Sequence, residues 1–552
     1  MRRTHAFVIV GIGTCFVAWA SLFIYRSSSV GIDGRRYFCL FDDAMISMRY
    51  AWNFSHGFGL VWNPGEYVEG YTNLLMTLLM SLPTLLFDKV NAVLAVQVLG
   101  IILMLINAYL VMSVAQHLSS GQERYRPLFR VLAFLCALSY YPLLYWSLMG
   151  METGLLAVLL SLSILSALRY AKDHKPAQGI LLSISLGLAF LTRPDALVFA
   201  VPVFVYAFYA ARNSNRTPSM YFLLAMVGLY VAFIVGQELF RWAYYGEWLP
   251  NTYTLKVSGV PFFVRIVNGI KFVGLFLREV YVLLIVVFIG IVFAFRRDKL
   301  FLASIFVVLV CYQAWIGGDA WNYWRFLSPA VPILVVLATY DILMAMEYVS
   351  DAAVFRRYFF LRNPIIQQRH VPGILTCLLL LAVLWSINSR FLPEIAMRQV
   401  PDEVYLNNDR VRIALAIERF TTPDATVGVT AAGTVPYYTG RPAIDFLGKA
   451  DPRIARLPPD LSGAVSDPGL KGMVHLPGHD KYDLEYSIKE LKPTYAVDFA
   501  WGRQDVLDWA KSEYVKVNYK GVSLPLLKSS KDVRWDDIEA ARETDEATIG
   551  TL

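Results

Sequence analysis

The chain has 552 residues, of which 57% are hydrophobic and only 17% charged, with a formal net charge of +7 and a mean hydropathy of +0.48. An ordinary soluble domain carries roughly 25% charged residues, so a wholly soluble class is excluded and a polytopic α-helical membrane protein is expected. The small positive excess is scattered in short gaps between apolar runs, which marks topology rather than a nucleic-acid surface, and no nucleic-acid partner is implied.

In chain order, Arg2 and Arg3 precede an apolar stretch at 6–25. It is long for a signal-peptide core and lacks an A-x-A-like cleavage site, so it reads as an uncleaved first span. Further runs of bilayer-spanning length fall at 92–117, 130–148, 153–170, 178–193, 195–211, 219–238, 275–295, 300–316, 328–346 and 372–389, which makes about eleven spans. The apolar run Leu74 to Phe87 contains Pro83 and breaks the parity of the spans if it crosses. It is expected to dip into, or lie along, the outer face. Cys15, Cys136, Cys311 and Cys377 fall inside apolar runs and only Cys39 lies outside, so no disulfide framework is expected.

Basic residues cluster in alternate gaps: Arg124, Arg126 and Arg130; Arg169, Lys172 and Lys175; Arg212 and Arg216; Arg296, Arg297 and Lys299; Arg356, Arg357, Arg362 and Arg369. The positive-inside rule assigns these gaps to the cytoplasm. The opposite gaps then face outward, and they hold the unusual residues: a first outer loop at 26–73 with Asp42 and Asp43, then Glu152, Arg193-Pro-Asp195, Asn251 to Lys256, and Gly317-Gly-Asp319. From 391 to 552 no spanning segment occurs, so this stretch is expected to be an outer soluble domain of mixed α/β type following a transmembrane domain at 1–390. Within it, 425–430 and Pro493 to Asp498 read as strands, and 403–420 and 505–515 as helices.

Asp42 and Asp43 open a segment rich in helix formers. One carboxylate would suffice as a helix cap, which leaves the other for chemistry. A carboxylate here suits a general base that deprotonates an acceptor hydroxyl, with Asp42 favoured, and an adjacent like charge would raise the pKa of one of the pair. Glu152 reads either as a functional carboxylate or as the ion-pair partner of Arg193. Arg325 lies among aromatics in Trp321-Asn-Tyr-Trp-Arg-Phe326, where a guanidinium could clamp a phosphate while an aromatic face stacks on a sugar or a lipid tail. Lys256 is a second candidate phosphate partner. Asp42, Asp43 and Asp319 could share a divalent cation, although their spacing matches no fixed ligand pattern, so no cofactor is firmly implied.

Several segments together resemble the polyprenyl-phosphate-sugar-dependent glycosyltransferases of the GT-C fold, and most closely the AftB-type terminal arabinofuranosyltransferase family. They are Phe41 to Asn53, Gly57 to Glu66, Val68 to Asn73, Gly150 to Thr153, Leu191 to Asp195, Tyr244 to Gly246 with Leu249 to Thr252, Gly317 to Asp319 with Trp324 to Phe326, and Tyr437 to Pro442 with Asp445 to Gly448. The resemblance implies an inverting enzyme of a bacterial cytoplasmic membrane. Such an enzyme moves a sugar, here a pentofuranose such as arabinofuranose, from a polyprenyl-phosphate donor to a cell-envelope glycan acceptor on the outer face. It also implies that an acidic residue of the first outer loop, Asp42 or Asp43, is the base, and it adds Arg49, Glu69, Asn251 and Trp324 to the candidate substrate-binding set. The chain departs from the family pattern where Ala44-Met45 follows the aspartates and where Leu255-Lys256 ends its segment.

A transporter or flippase of lipid-linked sugars is the main alternative. Transporters place ionisable residues near the bilayer midplane and show inverted repeats, whereas here the unusual residues gather at one rim. A non-catalytic glycan sensor would leave the paired aspartates unexplained.

Overall fold

The computed structural model describes residues 2–120, 125–212, 219–351, 364–462, 470, 472–497 and 504–552. Arg124, Arg216, Arg356, Arg357, Arg362 and Asp498 lie outside these described residues. The helices in chain order are α1 (Arg2–Ser27), α2 (Asp42–Ser55), α3 (Leu74–Leu86), α4 (Lys89–Leu118), α5 (Arg126–Ala137), α6 (Tyr141–Leu148), α7 (Thr153–Asp173), α8 (Pro176–Thr192), α9 (Leu197–Arg212), α10 (Met220–Tyr245), α11 (Asn251–Val257), α12 (Phe262–Phe293), α13 (Arg297–Ile316) and α14 (Val331–Asp351). A long helix, Pro364–Asn388, follows before the chain leaves the bundle.

Among the described residues, nine helices are long and apolar enough to cross a bilayer, and ten spans result if the bent pair α5 and α6 counts as one. The difference from the expected eleven lies at two places. The run 130–148 is not one straight helix: it breaks between Ala137 and Tyr141 with a bend of 55°. At the break the side chain of Asn388 accepts from the N–H of Tyr141 at 2.9 Å and donates to the carbonyl of Ser139 at 2.9 Å, so it satisfies the freed backbone groups. The run 178–193 forms α8, 17 residues or about 26 Å long, at the short limit for a span, and it returns the chain to the end of the bundle where α7 and α9 both start. The Pro83-containing helix α3 is shorter still at 13 residues, about 20 Å, too short to cross.

Charge segregates between the two ends of the bundle. At one end, Arg296 donates to the carbonyl of Leu118 and the hydroxyl of Tyr340, and Lys299 pairs with Asp341. At the other end lie the starts of α2, α7 and α9 and the ends of α10 and α13, and the unusual residues converge there.

The segment after residue 391 folds around helix Asp402–Phe420 and a six-stranded mixed sheet in the order β4-β3-β5-β7-β6-β8. Its strands are β3 (Val427–Val429), β4 (Ala443–Asp445), β5 (Tyr495–Ala496), β6 (Tyr514–Tyr519), β7 (Val522–Leu527) and β8 (Ala547–Thr551). Strand β3 pairs in parallel with β4 and β5, and the remaining pairs are antiparallel. A two-residue hairpin of β1 (Ser29–Val30) and β2 (Arg36–Tyr37) lies in the first outer loop. The sheet does not stand apart from the bundle. Tyr50, Leu60, Trp62 and Tyr71, between the first two long apolar helices, share one apolar cluster with Ile417, Phe420, Val427 and Leu524.

A reporter fused after Asp88, at the end of the short helix α3, is expected to read the same side of the membrane as one fused at the C-terminus. The opposite reading would show that Leu74–Leu86 crosses.

Candidate active site

Asp42 and Asp43 occupy the first turn of α2, where the unpaired N–H groups and the dipole favour acids. Successive helical positions are rotated by about 100°, and this rotation gives the two carboxylates different surroundings. Asp42, only 6% exposed, turns toward the sheet domain. Its Oδ2 accepts from the N–H of Gly433 at 3.1 Å, and its Oδ1 accepts from the N–H and hydroxyl of Thr434 at 3.0 and 3.1 Å, with Arg410 at 3.9 Å. Gly433 permits the approach: a Cβ there would lie 2.1 Å from the Asp42 carbonyl oxygen. With its oxygens held by backbone donors of the sheet domain, Asp42 has a docking geometry, and of the two aspartates Asp43 is the one that lines a small polar chamber.

Asp43 faces a cleft. Its Oδ1 accepts from Lys449 Nζ, and its Oδ2 from Arg325 Nη1 at 3.0 Å. Burial pushes its pKa up, but Lys449, Arg325 and Lys256 outweigh burial and hold the carboxyl well below the usual range. The expected upward shift from an adjacent like charge is therefore replaced by a downward one, because three cations face Asp43 while Asp42 turns away.

Arg325 bridges two carboxylates, since its Nη2 donates to Asp319 at 3.1 Å. Burial opposes its charge, yet Asp319, Asp43 and Glu152 raise its pKa. The loop that delivers it is tightly turned, with positive φ at Gly317 (100°), Gly318 (83°) and Trp324 (55°). Across the cleft Glu152 accepts from Arg193 Nη1 at 2.6 Å and from Asn73 Nδ2 at 3.1 Å, while Arg193 grips Asp195 through Nε and Nη2. The Glu152–Arg193 ion pair that the sequence left open is present.

Lys256, on α11, differs from these cations. Among the described residues it forms no hydrogen bond or ion pair, whereas Arg193, Arg325 and Lys449 are each paired with a carboxylate. Burial, followed by the charge of Arg325, lowers its pKa to about 8. It lies where two cavities meet. The first is a small polar chamber lined by Asp43, Ser47, Asn73, Glu152, Arg325 and Lys449. The second, of about 360 Å³, is mainly apolar and runs between α9, α11 and α13 past Leu197, Val198, Leu249, Tyr312, Trp315 and Ile316. Thr72, Arg193, Thr252 and Lys256 line both. Asp319 Oδ2, Arg325 Nε and Thr252 Oγ1 are buried here without a protein partner, as polar groups shaped for a ligand would be.

The remaining candidates lie behind this surface. Glu69 forms a buried pair with Arg241 at 2.5 Å, and Asn251 donates to the carbonyls of Gly448 and Lys449 at 2.9 Å each, which fixes the backbone beneath Lys449. Arg49 is corrected to a structural tie. Its guanidinium, 3% exposed, donates to the carbonyls of Trp62, Pro436 and Arg441 and to the Asn63 side chain, so four of its five N–H groups are spent on the scaffold. Trp324 is also corrected: it is buried against Phe272 and Phe276 and donates to Glu279, so no face is open to a sugar. The sequence reading missed Lys449 and Arg241. Arg241 could have been found as a charge in the apolar run of α10. Lys449 directly follows the motif Asp445 to Gly448, but nothing local marks it.

The three aspartates considered for a cation do not converge. Asp42 is bound to Gly433 and Thr434, and the Arg325 guanidinium sits between Asp43 and Asp319. Among the described residues no group of three or more His, Cys, Asp or Glu could hold a metal ion.

Comparison with known proteins gives two family matches. Residues 72–235 match the family described as dolichyl-phosphate-mannose-protein mannosyltransferase, and residues 398–537 match a domain of unknown function, DUF8728. No curated protein matches in sequence. In structure, the chain is similar to the oligosaccharyltransferase of Archaeoglobus fulgidus tethered with an acceptor peptide, at 13% identity over 96% of this chain and 74% of that one, with a TM-score of 0.51. It is also similar to ArnT from Cupriavidus metallidurans in the apo state, at 15% identity over 79% of this chain and 86% of that one, with a TM-score of 0.47. The same protein bound to undecaprenyl phosphate aligns at 14% identity over 78% and 85%, with a TM-score of 0.46.

Gly433→Ala is expected to cost at least about 2 kcal/mol by forcing the sheet domain off α2. This would appear as a lowered thermal midpoint of the purified protein, and an unchanged midpoint would remove the docking role given to this contact.

Proposed function

We propose that this chain, whose fold is of the GT-C type, is an inverting membrane glycosyltransferase. In this reading it transfers a sugar from a polyprenyl-phosphate donor to a glycan hydroxyl on the outer face of a bacterial cytoplasmic membrane. The observation that carries the proposal is Lys256, an unpaired, half-buried cation where an apolar cavity meets a chamber containing an ionised carboxylate. A lipid phosphate has the same polarity, with an apolar tail, an anionic head and a sugar beyond it. The mannosyltransferase family match over 72–235 supports the reaction class. The pentofuranose and the cell-envelope acceptor rest on the motif resemblance of the sequence.

The prenyl chain lies along Leu197, Val198, Tyr312 and Ile316, and the phosphate meets Lys256, with Arg193 and Arg325 adding field from behind. Fixed cations stabilise the departing phosphate without reorganising. The acceptor hydroxyl sits on Asp43. As its oxygen bonds to the anomeric carbon from the face opposite the phosphate, the carbon–oxygen bond to phosphate breaks. The hydroxyl proton passes to Asp43, polyprenyl phosphate leaves with the bonding pair, and the anomeric configuration inverts. Asp43 is a weak base, which is tolerable because phosphate leaves readily and the hydroxyl becomes acidic only as the new bond forms. A flippase reading would leave this rim carboxylate without a task.

Asp43→Asn is expected to lower kcat for transfer by about 100- to 10,000-fold in the folded protein and to lower the thermal midpoint as well, because Lys449 and Arg325 lose their anion, whereas Asp42→Asn should lower the midpoint while the folded fraction keeps its transfer rate. Near-normal transfer by Asp43→Asn would refute the base assignment.

Lys256 carries its charge below a pKa of about 8 and loses it above. Donor KM is therefore expected to rise as pH climbs through about 8, and Lys256→Met should have a raised, pH-flat donor KM. A donor KM in the wild type that is flat from pH 7 to about 9.5 would contradict the phosphate role.

A further inference from the structure

The loop Val474–Lys481 of the outer domain reaches across the cleft, and none of the roles above uses it. Its path is fixed at both ends. Asn268 Nδ2 donates to the carbonyls of Gly317 and His475, and its Oδ1 accepts from the N–H groups of Val474 and His475. At the far end Lys481 donates to the carbonyls of Thr254 and Ala455. Between these anchors Asp480 accepts from the N–H of Leu476 and pairs with His475. Pro477 lines the apolar cavity, and Gly478, at φ +84°, lies against Lys256, whose Cε would be 3.3 Å from an added Cβ.

His479 follows immediately. Its ring meets Trp321 edge to face at 5.7 Å, and Trp321 in turn packs on Phe41, the residue before the aspartates. Its Nδ1 is buried and, among the described residues, makes no hydrogen bond of normal geometry, with the Pro477 backbone a polar group acting on the ring. The charged groups that act on it are Lys449, Asp43 and Lys256. Burial, then the charge of Lys449, pushes its pKa down to about 3, so the imidazole is neutral at physiological pH.

A neutral imidazole offers one donor and one acceptor, which matches a sugar hydroxyl and not a phosphate. Its neighbours narrow the location. In the proposed reaction the anomeric carbon lies between the phosphate on Lys256 and the acceptor oxygen on Asp43; Gly478, the residue before His479, lies against Lys256, and Trp321, on which the imidazole packs, contacts Phe41 beside the aspartates. We infer that His479 hydrogen-bonds a hydroxyl of the sugar being transferred and fixes its ring for displacement, with the loop Val474–Lys481 serving as the sugar-reading wall of the site. This rests on the glycosyltransferase reading above and adds a substrate contact to it. Trp321, half-buried beneath the imidazole, holds the ring edge-on.

The test uses the full-length protein in lipid nanodiscs. Transfer is measured with a polyprenyl phosphate carrying a pentofuranose, and sugar-free polyprenyl phosphate is measured as a competing inhibitor. His479→Phe is expected to raise donor KM about tenfold, the worth of roughly one hydrogen bond, while inhibition by the sugar-free lipid phosphate stays within about twofold of wild type. His479→Gln, which retains a donor and an acceptor, should recover most of the loss. An unchanged donor KM in His479→Phe overturns the inference. So does equal weakening of the sugar-free lipid, which would mark a role in shaping the phosphate pocket, and so does a Gln variant no better than Phe. Absence of transfer by the wild-type protein together with normal binding of the lipid phosphate would overturn the glycosyltransferase reading itself.

Discussion

The contact between Asp42 and the N–H groups of Gly433 and Thr434 organises the rest of this site. It joins the first turn of α2 to the sheet domain across nearly 400 residues of chain, and it does so with a buried carboxylate. A buried charge is costly unless its lone pairs are satisfied, and here two backbone donors, a hydroxyl and the nearby Arg410 satisfy them. Once Asp42 is held this way, helix geometry directs Asp43 toward the cleft, and Lys449, carried by the same domain, can reach it. Docking and site assembly are therefore one event. The shared apolar cluster of Tyr50, Trp62 and Tyr71 with Phe420 and Val427 supplies the packing that accompanies it.

The cleft itself is governed by charge compensation. Arg193 is held by Asp195 and Glu152, Arg325 by Asp43 and Asp319, and Lys449 by Asp43. These pairs are buried and so are sensitive to the loss of either member, because a single partner left behind would be an uncompensated charge. Among the described residues Lys256 stands outside this pairing, and burial, followed by the charge of Arg325, lowers its pKa further than Asp319 and Asp43 raise it. In the proposed reaction this cation, without an ion pair among the described residues, would take the donor's phosphate, with little rearrangement of the paired charges around it.

Much of the architecture was legible in the sequence because a bilayer imposes simple rules. Apolar runs of fixed length gave most of the spans, and alternating basic gaps drew Glu152, Arg193, Lys256, Asp319 and Arg325 to one end, where the structure brings them around one cleft. Span counting was coarsest where a local detail outweighed mean hydropathy: at the break between α5 and α6 that Asn388 caps, and at α8, which is at the short limit for a span. Residue types alone misjudged Arg49 and Trp324. Both lie in motif segments, but one ties four groups of the scaffold together and the other is packed in the core beneath Arg325.

The sequence by itself determined the membrane class and the collection of ionisable residues at one end of the bundle, since each follows from the cost of placing polar groups in hydrocarbon. It could not choose between two adjacent aspartates. That choice depends on a rotation of about 100° per residue and on which long-range partners each carboxylate meets. Gly433, Lys449 and His479 come from a domain some 400 residues away, and no local pattern encodes those distances. Only the tertiary structure decided that one aspartate fastens the domain while its neighbour, among three cations, faces the space where a substrate would lie.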